Sequence, residues 1–296
     1  MKVPWRGVGA GLLVVALAAC GPADGDPANG GPPRVSADAG SAAAGTASSP
    51  AERPAAGAPY WQPAPAASWQ WQLSGALDLT VDAEIFDIDF ETTSPAEIGT
   101  LNQDGRRTIC YLSAGSWEDF RPDAGDFPDV VRGAVMDGWP DERWLDIRRM
   151  DILLPILGAR MDTCAAKGFD AVEPDNVDGY RNETGFPLTA ADQLAYNRAV
   201  AELAHVRGLS VGLKNDVDQI PELVDHFDFA VNEECFRYEE CDLYQPFTQA
   251  GKAVLHVEYE GEMDFCAESR RRGFSSLLKP LDLSAERQAC PDAPAQ

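Results

Sequence analysis

Short runs of apolar residues that end in acidic or polar side chains recur along most of this chain. They occupy residues 85–89, 109–115, 144–148, 168–175, 211–216, 229–234 and 254–259, and the apolar segments 69–73 and 274–278 are two further candidate strands. Segments with the apolar spacing of a helix lie between many of these runs. The clearest such segment is residues 191–207, for which Thr189 is a suitable N-cap and Gly208 a suitable C-terminal stop. Apolar strands that alternate with helices indicate a parallel sheet covered on both faces.

About eight strand–helix units over residues 69–296 predict a (β/α)8 TIM barrel, which is an α/β fold. Nine runs compete for eight positions, so one strand must lie outside the barrel or extend it, and we expect a run at either end. An open doubly wound sheet is the alternative, but no G-x-G-x-x-G sequence follows the first strand. All strands of such a barrel end at one rim, so their terminal polar residues should meet in one pocket.

The densest group of acids follows the run that begins at residue 168. This run begins as a predicted strand, and Glu173, Asp175 and Asp178 lie at its end and in the turn that follows. Crowded carboxylates repel one another, so some should have the raised pKa values that acid/base chemistry needs. A solvated acidic loop or a Ca²⁺ site is the alternative for a single turn of this kind. The recurrence of acidic strand ends favours a shared pocket.

The first 68 residues divide into two segments. Residues 1–19 hold basic side chains and then an apolar run too short to span a bilayer, which predicts a signal peptide. Residues 17–20 (LAAC) resemble the bacterial lipoprotein cleavage box, which implies a lipid on Cys20; an ordinary signal-peptidase site is the alternative. Residues 20–68 are rich in Ala, Gly and Pro and predict a disordered, flexible tether to a folded domain at 69–296. We therefore expect an exported, membrane-anchored lipoprotein at the bacterial cell surface or in the periplasm.

The cysteines agree with export, because an even set of six is left once Cys20 is set aside. Six cysteines allow 15 pairings. Closeness in sequence, the fastening of the C-terminal tail and elimination favour Cys235–Cys241, Cys266–Cys290 and Cys110–Cys164. The sequence holds three histidines and no C-x-x-C, H-x-x-H or H-E-x-x-H spacing, so we predict neither a zinc site nor a cofactor.

The net charge of −24, from 48 acidic and 24 basic side chains, excludes nucleic acid as a partner. The charge either keeps the protein soluble by self-repulsion or lines a cleft that attracts a cationic substrate. Acidic strand ends favour the cleft: Asp87, Asp89, Glu173, Asp175, Asp178, Asp216, Glu233 and Glu258. Lys214 is the one cation among these strand ends and should neutralise part of their charge.

Eight blocks of sequence, in order, resemble the endo-α-1,4-polygalactosaminidase family, which is glycoside hydrolase family 114. The blocks are residues 69–75, 110–115, 142–148, 168–180, 182–186, 211–216, 231–235 and 257–259. The resemblance extends from Trp69 to about Leu281 and implies a TIM barrel that hydrolyses chains of α-1,4-linked galactosamine internally.

The resemblance also implies the catalytic pair, with Asp175 as the nucleophile and Glu233 as the acid/base. Glu234 departs from the pattern, where a neutral residue is expected, but strand alternation should direct Glu233 and Glu234 to opposite sides. Glu258 is the main competitor for the acid/base role. Carboxyl groups about 5–5.5 Å apart would give a retaining enzyme and about 6.5–9.5 Å an inverting one; we expect the retaining mechanism.

Galactosamine carries an ammonium group, which carboxylates bind through charge-assisted hydrogen bonds and aromatic rings through cation–π contacts. Asn176, Lys214 and Asn215 would hold sugar hydroxyls. The predicted substrate-binding residues are Asp87, Asp89, Tyr111, Glu173, Asn176, Asp178, Tyr180, Lys214, Asn215, Asp216, Glu258 and Tyr259, with Trp117 as a further aromatic candidate.

Two alternatives from other classes remain at this point. One is a non-catalytic sugar-binding lipoprotein on a glycosidase-like barrel, against which the intact carboxylates at Asp175 and Glu233 count. The other is an enzyme in which Glu173, Asp175 and Asp178 bind Mg²⁺ or Ca²⁺, which loss of activity in chelator would reveal. We expect a monomer in either case.

Overall fold

The computed structural model describes residues 60–291, which form a curled nine-stranded sheet and a separate three-stranded sheet. In chain order the strands are β1 (Trp69–Gln72), β2 (Ile85–Asp89), β3 (Arg107–Ser113), β4 (Ser116–Glu118), β5 (Arg132–Met136), β6 (Trp139–Leu145), β7 (Ala171–Asp175), β8 (Ser210–Lys214), β9 (Phe229–Glu233), β10 (Val254–Glu258), β11 (Ser275–Leu278) and β12 (Gln288–Ala289). The large sheet has the order β1-β2-β3-β7-β8-β9-β10-β11-β12. Its first eight strands are parallel, and β12 pairs antiparallel with β11.

Alternation along the strands shows that the large sheet curls round on itself. Trp69 and Trp71 of β1 lie in the same apolar cluster as Val231 of β9 and Leu277 of β11. The Trp69 Nε1 group donates a hydrogen bond to the Ser275 carbonyl at 2.9 Å, which joins the first strand to the last parallel one. The intervening apolar residues of β2, β3, β7, β8, β9 and β10 belong to a second cluster, which they share with the helices. The sheet therefore has an inner face closed like a barrel and an outer face covered by helices.

Six α-helices lie between residues 60 and 291, fewer than the eight that a complete (β/α)8 pattern predicts. The chain passes from β1 to β2 without a helix, and β12 follows β11. Capping boxes begin two helices, Ser94 with Glu97 and Thr189 with Asp192, as the sequence indicates at Thr189. The helices are α1 (Pro95–Gln103), α2 (Met150–Lys167), α3 (Ala190–His205), α4 (Ile220–Leu223), α5 (Gln245–Gln249) and α6 (Cys266–Arg272).

The ninth candidate strand lies in the middle of the chain, so our expectation of a run at either end is wrong. Trp144 and Leu145 of the run 144–148 end β6, which pairs antiparallel with β4 and β5 in the small sheet. This small sheet is inserted between β3 and α2. The apolar side chains of the run pack beside the barrel core, because Trp144, Leu145 and Ile147 are all buried. A short buried run is thus compatible with either sheet.

Three disulfides within the described residues confirm the predicted pairs Cys110–Cys164, Cys235–Cys241 and Cys266–Cys290. The first joins β3 to α2, the second closes the loop after β9, and the third fastens the C-terminal segment to α6. Between residues 60 and 291 there is no helix with the length and apolar character needed to cross a membrane. The predicted signal peptide, Cys20 and most of the predicted tether lie outside the described residues.

Packing against the domain begins at Tyr60, before the predicted boundary at residue 69. The Tyr60 ring stacks on His205 with their centroids 4.5 Å apart, and Gln62 donates a hydrogen bond to Asp228 at 2.9 Å. Trp61 packs against the inner apolar cluster, and Ala67 is buried in it. Residues 60–68 therefore pack with the folded domain rather than belonging to the predicted tether.

Candidate active site

Asp175 and Glu233 end strands β7 and β9, and both side chains lie on the inner face of the sheet. Inward and outward residues alternate along each strand, and Ala171 and Val231 lie in the inner cluster two or four residues earlier. The side chains of Asp175 and Glu233 are 17% and 29% exposed, so both are accessible from the barrel mouth. These are the two residues for which the family resemblance implies catalytic roles.

Lys214, at the end of β8, lies between the two carboxylates. Its Nζ is 2.9 Å from Asp175 Oδ1 and 3.1 Å from Glu233 Oε2. Because both distances share one nitrogen, these two oxygens can be no more than about 6 Å apart. The Lys214 side chain is 3% exposed, and its ammonium lies over the Trp71 ring at 4.8 Å. Two carboxylates and one cation thus form a compact group at the barrel mouth.

Left-handed backbone conformations follow each of these three side chains. Asn176, Asn215 and Glu234 have φ of 62°, 50° and 60°, which residues other than glycine adopt infrequently. Such a residue turns the chain away immediately after the strand, so the preceding side chain remains directed into the mouth. Strained backbone of this kind concentrates at functional sites.

Asp175 accepts hydrogen bonds from Tyr111 Oη at 2.8 Å and from the Asn176 backbone N–H at 2.8 Å. Burial alone would raise the pKa of the Asp175 carboxyl, but Lys214 and these donors hold the pKa below its usual value. Asp175 is therefore ionised at neutral pH. An ionised carboxylate is the form required of a nucleophile.

Glu233 has a different set of neighbours. Tyr259 donates a hydrogen bond from its hydroxyl to Glu233 Oε1, and Asn215 donates from Nδ2 to Oε2 at 3.1 Å. The Asn215 Oδ1 atom accepts the Glu233 backbone N–H at 3.0 Å, which fixes the amide in one orientation. Glu234 faces the other way and pairs with Arg237 at 2.6 Å, as strand alternation requires.

Two further acids near this group have raised pKa values. Burial, reinforced by the charge of Asp175, raises the pKa of Asp178 to about 6. Burial and the charge of Asp178 raise the pKa of Asp216 to about 8, although Asn197 donates a hydrogen bond to it at 2.8 Å. One side of the mouth thus holds carboxyl groups that titrate near neutral pH.

The sequence profile of glycoside-hydrolase family GH114 matches residues 50–294. The chain belongs to glycoside-hydrolase family GH114. No curated protein has a sequence that matches it.

Two of the solved structures that resemble this GH114 chain are informative here. The crystal structure of Aspergillus fumigatus Ega3 in complex with galactosamine is 40% identical in sequence, with a TM-score of 0.72, and the match covers 78% of this chain and 97% of Ega3. The glycoside hydrolase domain of PelA from Pseudomonas aeruginosa is 15% identical, with a TM-score of 0.61, covering 75% of this chain and 98% of that domain. The PelA similarity concerns the fold alone.

Four of the acids predicted to bind substrate lie elsewhere in this GH114 domain. Asp87 and Glu173 are on the inner face but are fully buried below Lys214, so a substrate at the mouth cannot reach them. Asp89 is held by Arg121 at 2.6 Å. Glu258 is on the outer face, where it accepts hydrogen bonds from His256 at 2.8 Å and from the Phe236 backbone at 2.9 Å.

Glu258 also loses its candidacy for the acid/base role, because it lies on the opposite side of the sheet from Asp175. The residues that remain near the mouth are Tyr111, Asn176, Asp178, Tyr180, Asn215, Asp216 and Tyr259, each half-buried except Asp216, which is buried. Lys214 is engaged with carboxylates rather than open to sugar hydroxyls.

The structure adds a chain of polar groups that sequence reasoning missed. Asn176 Nδ2 donates to Ser113 Oγ at 3.0 Å, and Ser113 lies 2.6 Å from Ser116 Oγ. Ser116 donates in turn to Glu142 Oε2 at 2.6 Å. Burial raises the pKa of Glu142 to about 7. Residues 110–115 and 142–148 are blocks of the family resemblance, which is the one signal that could have drawn attention to Ser113 and Glu142.

Gly115 explains how these hydrogen-bonded polar groups come so near to Asp175. A Cβ atom at this position would lie 1.7 Å from the backbone oxygen of Asn176. The amides of Ala114 and Gly115 donate to the Asp175 carbonyl at 3.0 and 3.1 Å. Glycine therefore allows the end of β3 to hold the Asp175–Asn176 turn in place.

Among the described residues, one group of metal-ligand types has all its ligand atoms within 4.8 Å: Cys235, Cys241 and His256. The two sulfurs are bonded to each other, so they are not thiolate ligands. At the alternative metal site of Glu173, Asp175 and Asp178, the positive charge of Lys214 already lies against the Glu173 and Asp175 carboxylates. The site chemistry is therefore best described with carboxylates and a lysine.

Proposed function

We propose that this GH114 enzyme is an endo-acting hydrolase of α-1,4-linked, galactosamine-rich polysaccharide. The observation that carries the proposal is the pair of accessible carboxylates at the barrel mouth, Asp175 and Glu233, whose nearest oxygens are held together by Lys214. The galactosamine bound in the Ega3 crystal structure supports the choice of sugar.

The geometry favours a retaining mechanism. Asp175 attacks the anomeric carbon while Glu233 gives its proton to the glycosidic oxygen, so that the glycosidic bond breaks as the glycosyl–Asp175 ester forms. Glu233, now ionised, then takes a proton from a water molecule, and that water attacks the anomeric carbon and releases Asp175. The low pKa of Asp175 and its contact with Tyr111 suit a nucleophile. The Tyr259 and Asn215 side chains orient Glu233 throughout.

The substrate's ammonium groups match the acids that remain accessible at the mouth. Asp178 is half-buried, and with a pKa near 6 it is mostly ionised at pH 7. A carboxylate that is partly removed from water binds an ammonium more strongly than a fully hydrated one. Raising the ionic strength should therefore increase KM, because charges about 8 Å apart are screened at physiological salt.

The test is digestion of a partly deacetylated α-1,4-linked galactosamine polymer, with the products separated and identified by mass spectrometry. We expect oligosaccharides of mixed length from the first minutes, which marks internal cleavage, and little cleavage of the fully acetylated polymer. Polymer that is bound but stays intact would support the sugar-binding lipoprotein instead. Loss of activity in chelator would support the metal enzyme.

We also propose that Cys20 carries a lipid, that the tether links it to the domain, and that the enzyme acts as a monomer. The LAAC sequence at residues 17–20 supports the lipid. A Cys20→Ala variant should move from the membrane fraction to the soluble fraction of its host cells. Wild-type protein already in the soluble fraction would contradict the anchor.

A further inference from the structure

Two buried carboxyl groups lie at the floor of the site, where they cannot contact a substrate at the mouth. Asp87 of β2 and Glu173 of β7 are both 0% exposed. Within residues 60–291, none of their four oxygens accepts a hydrogen bond from an N–H group, a hydroxyl or an ammonium. Buried acids usually have such donors, because an ionised carboxylate without them is costly.

A proton shared between the two groups accounts for this arrangement. Two buried carboxyl groups without another donor can form a hydrogen bond to each other only if one of them is protonated, and the pKa of each responds to a hydrogen bond with the other. Burial, then the charge of Glu173, raises the pKa of Asp87 well above its usual range. Burial also raises the pKa of Glu173, but the positive charge of Lys214 opposes this rise. Asp87 therefore keeps the proton and donates a hydrogen bond to the Glu173 carboxylate.

The position of Lys214 explains why Glu173 is the ionised partner. Its Nζ lies 3.6 Å from Glu173 Oε1, on the side of the ammonium that faces the floor. The same Nζ contacts Asp175 and Glu233 at the mouth. The ammonium thus lies between one anionic contact below and two above, and the lysine side chain is 3% exposed.

We propose that Asp87 and Glu173 act as a buried carboxylic acid–carboxylate pair that positions Lys214 between Asp175 and Glu233. This inference rests on the proposed function, because it treats Asp175 and Glu233 as the catalytic carboxylates. Asp87 and Glu173 are positioning residues in this account and do not touch the sugar.

The single negative charge of the pair is what matters for the position of Lys214. If both acids were ionised, the floor would draw the ammonium away from the mouth. If both were neutral, the buried ammonium would lose one of its three anionic contacts. The charged or titratable groups that face the pair are Lys214, Asp175, Glu233 and the Tyr259 hydroxyl.

Amide substitutions separate these cases. In Asp87→Asn, the amide N–H can donate to Glu173 in place of the shared proton, so the pair keeps one negative charge near Lys214. We expect kcat to stay within about threefold of wild type. In Glu173→Gln, the charge moves to Asp87, away from the lysine, and kcat should fall about tenfold while KM changes little.

The double variant Asp87→Asn with Glu173→Gln removes the charge and should lower kcat by about 100-fold. Asp225→Asn is the matched control. Asp225 is exposed in the segment that leads into β9, at the opposite end of the strands from the mouth, so its kcat should equal that of wild type. Thermal unfolding of each variant identifies any that do not fold.

Infrared spectroscopy tests the shared proton without reference to activity. A protonated carboxyl has a carbonyl stretch at higher frequency than a carboxylate. The wild type minus Asp87→Asn difference spectrum at pH 7 should contain that band, and the wild type minus Asp225→Asn spectrum should lack it. Absence of the band from the first spectrum would overturn the proposal, even for a protein that cleaves no galactosamine polymer.

The kinetic outcome is equally decisive. A near-normal kcat for Asp87→Asn together with a strong loss in the double variant supports the pair. An Asp87→Asn variant that is folded but as slow as the double variant would overturn it. Wild-type protein that shows the infrared band and cleaves nothing would contradict the proposed function while leaving the shared proton in place.

Discussion

Glu233 and Glu258 are the last residues of two neighbouring parallel strands, and both belong to blocks of the family resemblance, yet they lie on opposite faces of the sheet. The pairing of β9 with β10 places Glu233 beside Val257, which is on the inner face. Glu258 is one residue further along and therefore faces outward. A shift of one residue thus separates a carboxylate at the barrel mouth from one beneath the helices.

The two environments give these acids different chemistry. Glu233 meets a lysine, a tyrosine hydroxyl and an amide, and its side chain is 29% exposed to an incoming sugar. Glu258 is buried against His256 and a backbone N–H, and its side chain is 3% exposed. The first arrangement can exchange a proton with a substrate, while the second fastens the loop after β9 to the sheet.

The largest effect should come from removing the proposed nucleophile at the barrel mouth. Asp175→Asn should lower kcat/KM by at least about 10⁴-fold, because no glycosyl–enzyme ester can form. The fold should survive, since the change is nearly isosteric and the site is partly open to solvent. Initial rates on the polymer measure this loss. A variant with a tenth of wild-type activity would show that another group is the nucleophile.

The next largest effect should come from a change beside Asp175 that leaves every acidic residue in place. In Gly115→Ala the new methyl would collide with the Asn176 carbonyl and displace the Asp175 turn. A misplacement of this kind can cost about 100-fold in rate, and we expect a loss of that order in kcat/KM. Gly125→Ala is the control, because no atom lies within 4 Å of the added Cβ. Equal rates for the two variants would contradict the role of Gly115.

The outer acid should affect stability rather than rate. Glu258→Gln replaces a charged acceptor for the Phe236 N–H and His256 by a neutral one, which should lower the free energy of unfolding by about 1 kcal/mol. Chemical denaturation with urea measures the change. A loss of activity in the folded variant without a change in stability would place Glu258 in the chemistry.

The smallest expected effect is on the pH dependence of stability, which should differ between the mouth and the opposite end of the strands. The pKa of Asp216 is raised to about 8, so the folded state holds its proton more tightly than the unfolded state does. The stability this provides is complete below the ordinary pKa near 4 and is lost as pH rises towards 8. Asp216→Asn should therefore flatten the fall in melting temperature over this interval, while Asp225→Asn should keep it. Parallel curves for the two variants would contradict the raised pKa.

Much of the architecture was predictable because local patterns determine it. The alternation of apolar runs with helices predicted the eight parallel strands of the described domain, and the spacing of six cysteines predicted their three pairs. Asp175 and Glu233 could be assigned to strand ends because each follows an apolar run directly. The run at 144–148 misled, since a short buried strand has the same pattern in a parallel barrel and in an antiparallel insertion.

The depth and direction of the acids could not be predicted, because both depend on how strands pair. Asp87 and Asp89 have the same alternation, but one is sealed at the floor while the other meets Arg121. Glu258 faces outward through a register that only the assembled sheet defines. Glu142 reaches the site from the small sheet, so its neighbourhood with Ser116 follows from tertiary packing.

The most direct test of the account compares Glu233→Gln with Glu258→Gln, as folded proteins, in initial rates on partly deacetylated galactosamine polymer. General acid–base catalysis typically contributes about 10²–10⁴-fold, so Glu233→Gln should lose at least 100-fold while Glu258→Gln remains close to wild type. An inactive Glu258→Gln beside a fully active Glu233→Gln would contradict the assignment of the inner carboxylates to the chemistry.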